Sequence, residues 1–391
     1  MKQYNFDEII DRKGTGALKI DLCDARFGSS DLLPLWVADM DFRTPDFIME
    51  SIRQRANHEV LGYTIRTQEY FDSIIRWMDY RFNWTVEKQW IGFVPGIVPG
   101  IAFAINAFSD KGDNIIVQPP VYPPFMSVPS NNGREVRYNP LNLINGQFEI
   151  DFNNFENCID SKTRIFILCN PHNPGGKVWK TTDLERIAEI CKRHNILVVS
   201  DEIHADMILS GHKHCPFPTV SDDAYNNCIT FMAPSKTFNM AGLASSSYII
   251  PNPEIRKIFS KYIESLEIGS GNIFAFTATI AAYNNGAEWL NQMLSYVEGN
   301  IQFVDEYLKK NLPKIHAVIP EASFLIWLDF RELNLSNETL RLKLIRDAHL
   351  AFNDGASFGP GGDGFQRINI GCSRLILSKA MDRLYNTFKN I

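Results

Sequence analysis

The 391-residue sequence has no run of lysine and arginine and no stripe of interleaved basic and aromatic residues, and its net charge is -6. That balance argues against nucleic acid as a partner. An uninterrupted apolar span is also missing. The longest apolar stretch, Ile91 to Phe108, is broken by Pro95, Gly96, Pro99 and Gly100, so it does not read as a membrane crossing. The opening residues Met1-Lys-Gln-Tyr-Asn-Phe-Asp-Glu hold no apolar core of a secretory leader. Seven cysteines, scattered at Cys23, Cys158, Cys169, Cys191, Cys215, Cys228 and Cys372, are odd in number and form no framework. Several lie inside apolar runs, which suits reduced thiols and a cytoplasmic location. No Walker or dinucleotide glycine fingerprint is present, and no repeat. His204, His212, His214 and Cys215 lie near one another, yet their spacing fits no common zinc pattern, so no metal is expected.

What is present is an ordinary globular composition, 45% hydrophobic and 21% charged, in a chain too long for one core. Short β-rich runs at Asn114 to Gln118, Arg164 to Cys169, Ile196 to Ser200, Ile229 to Met232 and Ser246 to Ile250 read as buried strands. Thr182 to His194 has helical spacing between two of them. Such alternation predicts an α/β fold, a three-layer, mostly parallel sheet covered by helices on both faces. A long helix, Trp289 to Asn311, and strands at Phe324 to Phe330 and Phe365 to Ile370 predict a smaller α+β domain. The expected division is an N-terminal arm over 1–45 packed on the small domain, a large domain over 46–285 and the small domain over 286–391.

In open α/β sheets ligands bind beyond the carboxyl ends of the strands. Three polar residues fall there: Asn173 in Asn170-Pro-His-Asn-Pro-Gly-Gly, Asp201 in Val198-Val-Ser-Asp-Glu, and Lys236 after Cys228-Ile-Thr-Phe-Met-Ala-Pro-Ser. A lysine at the end of a core strand loses water, and desolvation lowers its pKa toward a nucleophilic amine. Lysine, aspartate and asparagine on three strand ends are the parts that pyridoxal 5'-phosphate (PLP) requires. Lys236 would bind the cofactor aldehyde and move protons at the substrate Cα. Asp201 would pair with the protonated pyridine nitrogen, its alternative being a strand-end turn residue. Asn173 would donate to the phenolic oxygen, or else close an Asn-Pro turn. Tyr122, in a proline-rich turn, is placed to stack on the ring, or to sit in the core with its hydroxyl satisfied. The Gly96-Ile97-Val98 segment, between a strand and an apolar helix, offers backbone N–H groups to a phosphate, and Ser235 a hydroxyl. Arg367 interrupts an apolar strand, where an unpaired guanidinium is costly unless it meets a bidentate anion, here the substrate carboxylate. Arg374 reads as a surface or structural residue, and His204 as a neighbour of Asp201.

These residues carry a resemblance over nearly the whole chain. The order Tyr63, Gly96, Tyr122, Asn173, Asp201, Lys236, Arg367 resembles the fold-type I PLP enzymes of the aspartate aminotransferase superfamily. Within it, the chain is similar to the MalY/PatB group of cystathionine β-lyase-like C–S lyases, through Leu35-Trp-Val-Ala-Asp-Met-Asp-Phe, Gly62-Tyr-Thr, Pro120-Val-Tyr-Pro-Pro-Phe, Ser200-Asp-Glu-Ile-His-Ala-Asp and Pro234-Ser-Lys-Thr-Phe-Asn-Met-Ala-Gly-Leu. The resemblance implies a homodimer in which Tyr63 reaches the partner's cofactor phosphate. It also implies that Ala38 and Asp39 border the substrate carboxylate. Ala244 and Ala233 stand where many aminotransferases of the superfamily carry an arginine and a serine; the lyase-like group shares both departures.

The expected reaction is α,β-elimination on an L-amino acid bearing sulfur at Cβ, giving thiol, pyruvate and ammonia. A thiol with a pKa of about 8.5 leaves far more readily than an alkoxide. The alternative is an aminotransferase, which uses the same lysine, aspartate and arginine but returns the proton to the cofactor. A non-enzymatic regulatory module is disfavoured by the intact set Lys236, Asp201, Asn173 and Arg367.

Overall fold

The computed structural model describes residues 2–269 and 271–391. Seven strands form its main sheet: β1 (Ile91–Val94), β2 (Asn114–Val117), β3 (Glu135–Tyr138), β4 (Thr163–Cys169), β5 (Leu197–Asp201), β6 (Cys228–Met232) and β7 (Ser246–Ile249). Their order is β1-β7-β6-β5-β4-β2-β3. The pairs β3–β2, β2–β4, β4–β5 and β5–β6 are parallel, and β7 runs antiparallel to both β6 and β1. The fold is therefore α/β with a mostly parallel sheet. β5 and β6 are buried along their whole length, which explains their near-continuous apolar sequences: helices cover both faces.

The helices include α1 (Cys23–Phe27), α2 (Gln68–Phe82), α3 (Ile97–Phe108), α4 (Thr181–Arg193), α5 (Ala287–Asn311) and α6 (Arg374–Phe388). In α4, Leu184, Ile187, Ala188 and Cys191 recur at helical spacing and are buried, while the charged residues between them face water. Thr67 caps α2 by accepting a hydrogen bond from the Tyr70 N–H, and Asn83 ends that helix at φ 52°. The apolar stretch from Ile91 to Phe108 divides at Pro95-Gly96 into β1 and α3.

A second sheet is antiparallel, with β8 (His316–Val318), β9 (Leu325–Asp329), β10 (Asn353–Asp354) and β11 (Phe365–Asn369) in the order β8-β9-β11-β10. Trp327 of β9 is fully buried and stacks on Phe365 of β11, centroids 5.2 Å apart. The N-terminal segment is not featureless: it folds into the short helices Leu18–Asp21 and α1. It then adds Leu33–Pro34 alongside Leu350–Ala351 as a parallel pair.

The carboxyl end of β5 is anchored from behind. Glu202, buried next to Asp201, accepts from the Ser200 hydroxyl at 2.8 Å and the Phe217 N–H at 2.9 Å, and lies 2.8 Å from His214 Nε2. These bonds tie the loop through His214 to the strand. Glu202→Ala leaves those buried groups without a partner and should cost about 3 kcal/mol. The expected result is a clearly lower melting temperature, with Glu202→Gln falling in between; a melt at the wild-type temperature would remove the anchoring role.

Candidate active site

β4, β5 and β6 are adjacent, and the three turns leaving their carboxyl ends converge on one cavity of about 430 Å³. Cys169 of β4 is in register with Asp201 of β5, and Asp201 with Phe231 of β6. That register sets Asp201 on the cavity wall at the last position of its strand. Asn173 follows β4 by four residues, and Lys236 follows β6 by four, in the single turn of helix Pro234–Thr237. Tyr122, His204, Ile97, Val98, Ala38 and Arg367 complete the expected residues on this wall.

Each polar group is held by named contacts. The Lys236 amine donates to the Ala38 carbonyl at 2.6 Å. Asp201 accepts from the Ile203 N–H at 3.0 Å. The Tyr122 N–H donates to the Asn173 carbonyl at 3.1 Å, which fixes the proline-rich turn to the β4 turn. His172 lies 2.9 Å from the Pro120 carbonyl and fastens the same two turns again. Arg367, buried in β11, donates through Nη1 to Asn173 Oδ1 at 2.8 Å. Its Nη2 donates to the Trp36 carbonyl at 3.1 Å and to Asn353 Oδ1 at 2.8 Å. Its guanidinium lies over the Phe358 ring at 5.0 Å, and its Nε has no protein partner. No carboxylate neutralises it among the described residues.

Burial dominates the electrostatics. It pushes the Lys236 amine down to about 8, helped by Arg367 and opposed by the Asp39 and Asp201 carboxylates. It pushes Asp201 up to about 7, with Glu202 adding to the rise, while the Ile203 N–H and Lys236 oppose it. Arg367 is lowered to about 10, also by burial. His204 falls to about 3 through burial and the two nearby cations, so its ring is neutral. The Tyr122 hydroxyl is raised by burial and stays protonated. The cavity holds a poised amine, a carboxylate short of a counter-charge and a guanidinium short of an anion.

The amine's position is reinforced from two sides. Thr237, next in sequence, donates to Asp206, which also accepts from Trp77 of α2 at 2.9 Å. Asn239, at φ 53°, donates to the Met40 and Phe42 carbonyls and accepts the Met40 N–H. This lashes the Ala38–Phe42 segment to the lysine turn. Gly96 precedes α3 at φ 129°, which only glycine adopts without strain, and directs the first N–H groups of α3 toward the cavity end of the sheet.

Other expected residues lie off this wall. Ser235 is buried in the turn beside Lys236 but does not line the cavity. Asp39 faces a neighbouring pocket, where it pairs with Arg12 at 2.6 Å. Tyr63 is fully exposed in an irregular segment with Val60, Leu61 and Ile65, all exposed as well. Arg374 donates to Asn300 at 2.7 Å at the start of α6, far along the chain from these turns. His214 is bound to Glu202, and His204 stands on the cavity wall rather than with it. Sequence patterns did not disclose Trp36, Asn353, Phe358, Cys169, Ile203, Leu18 and Arg26, all of which line the cavity. Only Asn353 left a usable trace: a polar residue closing the apolar run Leu350-Ala-Phe, on the strand that pairs with Arg367.

The chain is 43% identical over 381 residues to cystathionine beta-lyase PatB of Bacillus subtilis (strain 168), covering 97% of this chain and 98% of that one. It is 31% identical to protein MalY of Escherichia coli (strain K12), over 99% of this chain and all of the other. The crystal structure of cystalysin from Treponema denticola, which contains a pyridoxal 5'-phosphate cofactor, superposes with a TM-score of 0.96 at 33% identity over the full length of both chains. The sequence model of the aminotransferase class I and II family matches residues 30–384. This chain belongs to the aminotransferase class I and II family.

Proposed function

We propose that this protein is a PLP-dependent carbon–sulfur lyase that performs α,β-elimination on L-cystathionine or related S-substituted cysteines. The observation that carries the reading is the convergence of Lys236, Asp201, Asn173, Tyr122 and Arg367 on one buried cavity. The residues fit the cofactor by their unmet needs. Asp201, raised by burial, gains a counter-charge from a protonated ring nitrogen. The Asn173 amide nitrogen is left to donate to the phenolic oxygen, since its carbonyl oxygen is taken by Arg367. Tyr122 offers a ring face for stacking, and Gly96, Ile97 and Val98 with Ser235 offer donors to the phosphate. When bound, PLP supplies an aldehyde for amines and a ring that accepts the electron pair left at Cα.

The chain's own residues then divide the work. Arg367 grips the substrate carboxylate with the N–H hydrogens that Asn173, Trp36 and Asn353 leave free and, with Ala38 alongside, fixes the orientation of the Cα–H bond. Lys236, near 8, is partly free base at neutral pH and takes the Cα proton. The thiolate leaves from Cβ with the electron pair of the broken C–S bond, and water then hydrolyses the released enamine to pyruvate and ammonia. Asp201 holds the ring proton, and the neutral His204 adds no charge beside it.

The lyase reading is supported by the 43% identity to a named cystathionine beta-lyase over nearly all of both chains. The aminotransferase reading keeps the family's own description on its side. Product stoichiometry separates them. With L-cystathionine and no 2-oxo acid, the PLP-loaded enzyme should release pyruvate, ammonia and thiol continuously in equal amounts. A single release equal to the enzyme concentration, restarted by added 2-oxo acid, would make it an aminotransferase.

The working unit is a homodimer in the reducing cytoplasm, with each chain divided near residues 45 and 285. The exposed apolar segment through Tyr63 supports the dimer, since it is a surface in search of cover; in that dimer Tyr63 would serve the partner's phosphate. The seven free thiols support the compartment. Mixing inactive Tyr63→Ala and Lys236→Ala homodimers should restore activity after subunit exchange, because one site of the mixed dimer carries both lesions and the other neither. No recovery despite proven exchange would mean that each chain completes its own site.

A further inference from the structure

One charge on the cavity wall has no task in the elimination. Four charged residues line the cavity: Lys236, Arg367 and Arg26, against a single carboxylate, Asp201. Lys236 handles the proton, Asp201 the ring and Arg367 the α-carboxylate. Arg26 remains. It sits in the last turn of α1, at the exposed rim, with no hydrogen bond or ion pair to an acidic side chain among the described residues.

Its position is nevertheless built. The Arg26 guanidinium lies over the Trp36 ring, 5.2 Å from the centroid. Phe27 meets the same indole edge-on at 5.5 Å and 81°. The indole is fixed in turn by its N–H, which donates to the Lys19 carbonyl at 2.9 Å. The Trp36 backbone carbonyl is one of the three acceptors that hold Arg367. One residue therefore carries both arginines, the buried one on its carbonyl and the rim one on its ring. Stacking fixes the guanidinium plane and leaves its N–H edges free to meet an anion. The same cavity is also lined by the apolar residues Leu18, Pro123 and Pro124, which suit a thioether chain.

We infer that Arg26 selects substrates whose sulfur substituent ends in a carboxylate or similar anion, gripping the distal group while Arg367 holds the α-carboxylate. This deepens the lyase reading and rests on it for the word substrate, but the recognition itself is a binding event.

The test compares S-(2-carboxyethyl)-L-cysteine with S-propyl-L-cysteine, two thioethers of equal chain length, on PLP-loaded wild type, Arg26→Gln and Arg26→Lys. Both kcat/KM for pyruvate release and affinity from the cofactor absorbance change are measured. An exposed ion pair of this kind favours the acid by about fivefold at low salt. That ratio should fall to about one in Arg26→Gln, be partly kept in Arg26→Lys, and shrink as salt is added. A wild-type ratio of one or less, or a ratio unchanged in Arg26→Gln, overturns the assignment even if pyruvate flows. Tighter, Arg26-dependent binding of the acid with no pyruvate from either thioether sustains Arg26 and overturns the lyase reading instead.

Discussion

Everything in this structure turns on the cost of burying charge at the carboxyl ends of three adjacent strands. A lysine, an arginine and an aspartate share a cavity in which each is largely buried, and none of them forms an ion pair among the described residues. Desolvation pulls the amine and the carboxylate toward their neutral forms, to about 8 and about 7. Groups driven that way are able to exchange protons near neutral pH, which a solvated lysine and aspartate are not. The same cost makes the site hungry for a molecule that brings one cation and one or more anions.

Such an arrangement needs rigid support, and the support is specific. Asp206 joins α2 to the residue after Lys236, Asn239 joins the lysine turn to the Ala38–Phe42 segment, and Glu202 closes the loop behind Asp201. Arg367 comes from the second sheet and is gripped by groups from three distant parts of the chain, Trp36, Asn173 and Asn353. The site thus exists only when the two sheets and the N-terminal segment are together. That dependence explains why the N-terminal residues around Trp36 carry so much local order.

Sequence patterns revealed the sheet because its strands are buried on both faces and read as continuous apolar runs ending in polar turns; Leu197–Asp201 and Cys228–Met232 are the clearest cases. Lys236, Asp201 and Asn173 were legible for the same reason, each breaking such a run at a strand end. Arg367 was legible as a charge inside an apolar strand. What grips it was not: a Trp36 carbonyl leaves no mark in the identity of residue 36, and the pairing of Asn353 with Arg367 depends on register between strands, which a short two-residue strand does not encode. Arg26 was hidden because a surface arginine in a five-residue helix looks like any other until its ring partner is seen. Tyr63 remained a matter of resemblance, since within one chain it touches nothing that defines a role.

The central claim is that the desolvated amine of Lys236 is the group that holds the cofactor. Borohydride reduction of the PLP-loaded protein, followed by proteolysis and mass mapping, tests it most directly, because reduction fixes the cofactor on whichever amine carries it. The account predicts the pyridoxyl group on the peptide containing Lys236 and on no other. Label on a different lysine, or none on a protein that visibly binds PLP, would contradict it.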